Sequence, residues 1–159
     1  MKILALILLL AGLAVLGGAV WFRTVPDDPA VWHVDPLTAT KPATPNAALV
    51  RPEGGDRVAP VYVLTPEALA EAFDAMALAQ PRTLRIAGTP GDLFMTYVQR
   101  SALWGFPDYI SVRILPEEGG ASWAAFSRSR YGHSDLGVNA RRLTAWQAAL
   151  EARLARPAS

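Results

Sequence analysis

The chain has 159 residues and a formal net charge of +1, with 52% hydrophobic and 18% charged residues. This length suits one domain with additional segments, and the balanced charge excludes a polybasic or acidic tail. The chain contains no cysteine, which excludes disulfide frameworks, thiolate metal sites, a thiol nucleophile and a lipid-modified N-terminal cysteine.

The first predicted element is the uncharged apolar segment Ile3–Phe22. A helix of about 20 apolar residues spans the hydrocarbon core of a bilayer. We therefore predict a transmembrane signal anchor over residues 1–22, with Trp21 at the membrane interface. The alternative is a signal peptide cleaved near Ala19, because Gly17 and Ala19 are small residues two positions apart.

The charges that flank this segment predict its orientation. Lys2 precedes it, and Arg23, Asp27 and Asp28 follow it, so the positive-inside rule keeps the N-terminus in the cytoplasm and exports the rest. We expect a single-pass protein of the bacterial inner (plasma) membrane with a periplasmic C-terminal domain, or, if the segment is cleaved, a secreted one. Export argues against nucleic acid as a partner.

Residues 23–56 are rich in proline and are interpreted as a linker. Within it, Val31, Trp32 and Val34 are too apolar for a freely solvated tether. We therefore expect this part to lie against the folded domain, with Thr38–Asp56 as the looser stretch.

The domain predicted over residues 57–156 opens with a strand, Val58–Leu64, and a helix from Thr65 to about Ala79. Thr65 is suited to accept a backbone N–H as the N-cap, and Pro66 is tolerated at the first helical position. Glu67 adds a negative charge at the positive end of the helix dipole.

Four more strands and a second helix follow. The strands are predicted at Arg82–Ala87, Leu93–Arg100, Tyr109–Leu115 and Ser122–Arg130, and the helix from a cap at Ser134 or Asp135 to about Leu154. Alternation of Ile110 and Val112 with Ser111 and Arg113 predicts one buried and one wetter sheet face. The order β-α-β-β-β-β-α predicts an α+β domain, an antiparallel sheet with helices on one face. It resembles the order of the TATA-binding-protein-like fold, without implying its nucleic-acid function; a helix-grip-like fold is the alternative.

Four short motifs carry a family resemblance. They are Met95–Ser101 (MTYVQRS), Gly105–Tyr109 (GFPDY), Ser127–Gly132 (SRSRYG) and Ser134–Asn139 (SDLGVN). In these motifs the chain resembles the family catalogued as domain of unknown function 1499, over about residues 29–152. The resemblance implies proteobacterial and plastid relatives, often membrane-anchored, without an agreed activity.

An arginine-rich stretch near the last helix is the candidate site. Arginine forks beside a helix N-terminus suit a phosphate or carboxylate, and Arg128 and Arg130 share one strand face, with which Arg100 and Arg113 on other strands can align. The candidate ligand-binding residues are Arg128, Arg130, Asn139, Arg100 and, as walls, Tyr97 and Tyr131. The alternative is that Asp135 and Asp108 pair with arginines as structural braces.

Other chemistry lacks the required pattern. His133, Ser134 and Asp135 are adjacent in sequence, which does not let a nucleophile, a base and an orienting acid converge. His33 and His133 are far apart, and the chain has no metal-binding or nucleotide-binding motif. We therefore predict no metal site and no cofactor.

These observations favour a non-catalytic, membrane-tethered envelope module that binds an anionic or amphiphilic ligand, such as a lipid, or an envelope partner protein. The alternative is an envelope hydrolase or transferase acting on lipid or glycan, with Asp108 or Asp135 as acid/base. A carboxyl group with a raised pKa in a substrate-sized cavity would favour the enzyme.

Overall fold

The computed structural model describes residues 1–156. The elements in chain order are α1 (Lys2–Thr24), α2 (Pro29–Trp32), β1 (Ala47–Val50), α3 (Pro66–Leu78), β2 (Thr83–Thr89), a 3-10 turn (Pro90–Asp92), β3 (Phe94–Arg100), β4 (Pro107–Glu117), β5 (Gly120–Ser129) and α4 (Val138–Leu154). The five strands form one antiparallel sheet in the order β1-β5-β4-β3-β2. The predicted α+β class is therefore confirmed.

Helices α3 and α4 cover one face of the sheet. The Thr65 hydroxyl accepts the Ala68 N–H at 3.2 Å, so α3 begins where its cap predicts. The core beneath the helices includes Phe73, Trp123 and Trp146, whose rings meet edge to face. We call this side of the sheet the helix face.

The prediction of a strand at Val58–Leu64 is wrong. Within Val58–Leu64 the described structure has only an isolated bridge from Tyr62 to Ala121. The fifth strand is instead β1, which lies inside the segment interpreted as a linker and pairs with β5. Pro60 removes a ladder donor, and the Val63 side chain is 92% exposed. Ala59, Tyr62 and Leu64 pack against the core without forming a strand. The buried run Ala48–Val50 instead pairs with β5.

The opposite face of the sheet is covered by residues 25–39, which we call the strap. Trp32 stacks on Tyr109 with ring centroids 3.8 Å apart, and Ala39 packs with Leu49 and Phe126. The expectation of a wetter second face is therefore wrong, because Ser111 on that face is fully buried and donates a hydrogen bond to the Trp32 carbonyl at 3.1 Å.

The N-cap of helix α4 lies two or three residues beyond the predicted cap at Asp135 or Ser134. Its N-cap is Gly137, whose φ of 79° is in the left-handed region that glycine adopts at low cost. Asp135 still serves the first turn, since its carboxylate accepts the N–H groups of Gly137 and Asn139, both at 2.8 Å.

Helix α1 projects from the domain and has no buried residue. An 18-residue window of this helix has a mean hydropathy of 2.8, so its length and composition suit a membrane span. An N-terminal signal sequence has the same properties.

Candidate functional site

The predicted arginine cluster lies under the strap. Arg100, Arg113 and Arg128 alternate with core residues along β3, β4 and β5 and share the strap-covered face. Arg130 directly follows β5 and contacts the same strap. Arg128 is only 7% exposed, and burial lowers its pKa to about 10. Its guanidinium donates to the carbonyl of Trp32 and lies 4.5 Å from the Phe126 ring centroid.

Each of the other arginines also binds the segment that follows α1. Arg100 donates to both carboxylate oxygens of Asp27, at 2.9 and 2.8 Å. Arg113 pairs with Asp35 at 2.8 Å, and Arg130 donates to the Pro26 carbonyl at 2.8 Å. The strap therefore supplies the anions and carbonyl oxygens that an external ligand was predicted to supply.

Tyr97 lies on the opposite face of the sheet from this cluster. It points into the helix face, is fully buried, and donates its hydroxyl to Asp74 at 2.9 Å. Burial first, and then the Asp74 carboxylate, raise its pKa. It forms no wall of an accessible cleft.

A buried polar network lies at the start of α4 on the helix face. The Asn139 side-chain amide donates to Asp135 at 2.7 Å and to Ser129 at 3.0 Å. Arg142 donates to the Asn139 amide oxygen and to Asp108, both at 2.6 Å. Asp108 is thus held by an arginine, whereas Asp135 is held by N–H donors.

The pKa of Asp135 is lowered. Burial alone would raise it, but the hydrogen bonds from the backbone and side chain of Asn139 and from the Gly137 N–H outweigh that effect. Among the described residues no base lies within ion-pair distance of Asp135. Its negative charge is therefore retained at neutral pH without a cationic partner.

An open cleft of about 310 Å³ adjoins this network, and we call it the motif cleft. It is lined by Ser101, Phe106, Asp108, Ser129, Tyr131, Gly132, Ser134, Asp135 and Val138. The four sequence motifs all contribute to this lining, although they are separated along the chain. Hydroxyl and carboxylate oxygens thus face two aromatic rings, and the lining contains no arginine or lysine.

The last turn of α1 packs against the aromatic side of the motif cleft. The Phe22 ring lies edge to face with Phe106, at a centroid distance of 4.4 Å, and with Tyr131, at 5.2 Å. Two of the residues that line the cleft are therefore in contact with the last turn of the candidate membrane span.

The two histidines are separate. His33 stacks on Phe94 and shares a 2.8 Å hydrogen bond with Thr96 within the strap packing, whereas His133 is exposed. Over residues 1–156 no group of three or more His, Asp or Glu side chains is placed to hold a metal ion.

The candidate residues were grouped as one site from the sequence, but they lie on two different faces of the sheet. Tyr97 and Arg100 are three apart on one strand and so point to opposite faces. Arg142, the centre of the polar network at the start of α4, was not among the candidates. The spacing i, i+3 of Asn139 and Arg142 on a helix was the available signal, because residues at that spacing share a surface.

The fold and the cleft define an α+β domain whose N-terminal apolar helix packs at the edge of a polar and aromatic cleft. The chain belongs to the family described as "Protein of unknown function (DUF1499)", which it matches over residues 37–150. Helix α1 and most of the strap precede the matched region. The comparisons with curated proteins and with solved structures gave no match.

Proposed function

We propose that this protein is a membrane-tethered envelope module whose motif cleft binds the headgroup of an amphiphile without catalysing a reaction. In this proposal α1 is an uncleaved signal anchor in the bacterial plasma membrane, and the domain lies on the periplasmic side. The contact of Phe22 with Phe106 and Tyr131 carries the proposal. A cleft beside the last turn of a membrane span lies at the depth of lipid headgroups.

The helical backbone of α1 supports anchoring over cleavage. The helix is continuous through Gly17 and Ala19 and ends at Thr24, so the cleavage-site residues are not in an extended segment. Arg100 donates to the carbonyl of Val25, at 3.1 Å, and to that of Phe22. These bonds satisfy carbonyl groups at the end of the helix and join the anchor to the domain.

The charge of the cleft favours an ammonium-bearing headgroup. Asp135 supplies an ionised carboxylate that no base neutralises, and the serine hydroxyls can accept or donate hydrogen bonds. The rings of Phe106 and Tyr131 suit the methylene groups and the cation of such a headgroup. The arginines that would favour a purely anionic ligand are bound by the strap.

The same contacts do not favour the hydrolase or transferase. The Asp108 carboxylate is paired with Arg142, and the pKa of Asp135 is lowered rather than raised. A general acid at neutral pH needs a carboxyl group with a raised pKa. The proposed role of both carboxylates is therefore to bind and to brace.

The test uses the full-length protein extracted from nanodiscs that contain equal amounts of phosphatidylethanolamine and phosphatidylglycerol. Native mass spectrometry of the wild type should show selective retention of phosphatidylethanolamine. Val138→Trp should fill the cleft and abolish that selectivity. Ala145→Trp is the matched control, because it places the same ring on an exposed position two turns further along α4 and should retain the lipid.

Three results would contradict the proposal. Equal retention of both lipids by the wild type would overturn the headgroup assignment. Unchanged selectivity in a folded Val138→Trp variant would move the lipid site away from the motif cleft. A co-purifying protein lost only in Val138→Trp would favour a partner protein as the ligand instead.

A further inference from the structure

The loop between β3 and β4 lies along the side of α1. Leu103 and Trp104 of this loop, with Gly12, Leu16 and Ala19 among others on the helix, line an apolar groove of about 260 Å³. Leu103 is nevertheless 75% exposed. The loop thus lies beside the apolar part of the helix and presents a large apolar side chain that no other part of the described chain covers.

The position of the groove along α1 sets the depth of the loop. Ala19 and Gly12 precede Arg23, which closes the apolar span. At 1.5 Å rise per residue, Ala19 lies about 6 Å and Gly12 about 16 Å from Arg23 along the helix axis, toward the N-terminus. The hydrocarbon core of one leaflet is about 15 Å thick. A bilayer that surrounds α1 therefore also surrounds the tip of this loop.

Several polar backbone groups of the loop have hydrogen-bond partners, as a segment inside the hydrocarbon core requires. The Arg23 guanidinium donates to the carbonyl of Trp104 at 3.3 Å and also to the carbonyl of Leu103. The Gly105 N–H donates to the Ser101 carbonyl at 3.1 Å. Unpaired backbone groups in hydrocarbon are costly, so these bonds reduce the cost of inserting a non-helical segment.

Gly105 allows the close approach of Arg23 to the loop. Its φ of 78° is in the left-handed region, and a Cβ there would lie 2.4 Å from the Arg23 Cγ. A larger residue would displace the arginine from the loop carbonyls. The glycine therefore belongs to the same arrangement as the arginine and the apolar tip.

The loop at the other end of β4 has the opposite character. The β4–β5 turn carries Glu117 and Glu118 at the far end of the same strand, and both are exposed. The β3–β4 loop has Ala102, Leu103 and Trp104 at the corresponding place. Leucine suits the acyl region and tryptophan suits the interface, so the two ends of the sheet differ as a membrane-facing end and an aqueous end.

We infer that the loop Ala102–Trp104 is a second membrane contact, which inserts into the leaflet nearest the domain beside α1. Leu103 enters the acyl-chain region and Trp104 lies at the interface. This inference rests on the proposed anchoring of α1. Its consequence is that the domain is docked on the bilayer, with the motif cleft held at the level of the headgroups, rather than moving freely on a tether.

The chain has no cysteine, which allows single labels in the full-length protein. Leu103→Cys, Glu118→Cys and Leu9→Cys are each labelled with an environment-sensitive nitrobenzoxadiazole dye in vesicles of phosphatidylethanolamine and phosphatidylglycerol. Lipids spin-labelled on the acyl chain should quench the dye at 103 several-fold more than at 118. Aqueous iodide should show the reverse order. The dye at position 9 reports on the anchor.

The outcomes separate the loop from the anchor. If the dyes at 103 and 118 are equally accessible to iodide while the dye at 9 is quenched by lipid, α1 spans the membrane and the loop inference is wrong. If the dye at 9 is also accessible to iodide, the proposed anchoring fails and the inference fails with it. Ala102→Cys provides a second label site in the loop and should follow Leu103→Cys.

Discussion

The two faces of the sheet are stabilised in different ways. The centre of the helix face is apolar, with Trp146 and Leu143 packed between the helices and the strands. The strap face carries arginines, one of which, Arg100, forms an ion pair with Asp27. The first face depends on burial of apolar area, which periodicity in the sequence can predict. The second depends on specific pairings between distant segments, for which the sequence has no local signal.

The largest expected effect comes from opening the helix face. Trp146 is 2% exposed, so Trp146→Ala removes buried contacts and leaves a cavity, and we expect a loss of about 3–5 kcal/mol in the free energy of unfolding. The measurement is urea unfolding of the full-length protein in detergent micelles. The exposed position Thr144 of the same helix provides the control, and Thr144→Ala should change stability by less than about 0.5 kcal/mol. Equal effects of the two changes would contradict this description of the core.

A smaller effect is expected on the strap face. Arg100→Met removes the cationic partner of the Asp27 carboxylate and leaves it the hydrogen bond from the Tyr109 hydroxyl. Since the Arg100 and Asp27 side chains are 16% and 19% exposed, we expect a loss of about 2 kcal/mol. The same urea titration measures it.

The matched control is the exposed ion pair Lys41–Asp56, whose side chains are 38% and 45% exposed. Lys41→Met should change stability by less than about 0.5 kcal/mol. The double variant Arg100→Met, Asp27→Leu should recover part of the loss because it removes the unpaired charge. If Arg100→Met is no more destabilising than Lys41→Met, the strap does not depend on this pair.

The smallest expected effect concerns the cap of α4. Asp135 accepts N–H groups with both carboxylate oxygens, whereas asparagine has one acceptor oxygen and no charge, so Asp135→Asn should cost about 1 kcal/mol at neutral pH. Because the folded-state pKa of Asp135 is below its ordinary value of 3.8, its contribution is complete above that value and is lost as the pH falls through the folded-state pKa.

The measurement is the pH dependence of unfolding for the wild type and Asp135→Asn. The stability difference between them should be constant from pH 7 to about 5 and should shrink below about pH 4. A difference that persists unchanged into acid would show that the charge of Asp135 contributes nothing.

Local signals predicted much of the fold. The Thr65 cap and Pro66 predicted the start of α3, and the strand patterns predicted β3, β4 and β5 close to their observed bounds. The apolar character of α1 was equally clear from the sequence. All of these depend on residues that are close in sequence, so the interaction and its pattern are visible together.

Pairings across long distances were less visible. The sequence did not distinguish the apolar run at β1 from the one at Val58–Leu64, since only the edge of β5 selects between them. For the arginines under the strap, the sequence named the arginines but not their partners; Asp108, which was named as an arginine partner, pairs with Arg142 on the other face. Asp27 and Arg100 are remote along the chain and meet only because the strap crosses the sheet.

By itself, the sequence determined the apolar N-terminal helix, the α+β composition and the family, because each is a property of residue type and local spacing. Only the tertiary structure decided which face each arginine occupies, which segment supplies the fifth strand, and that four separate motifs line one cleft beside α1. These depend on strand register and on contacts between remote segments, whose free energies exist only once the chain is folded.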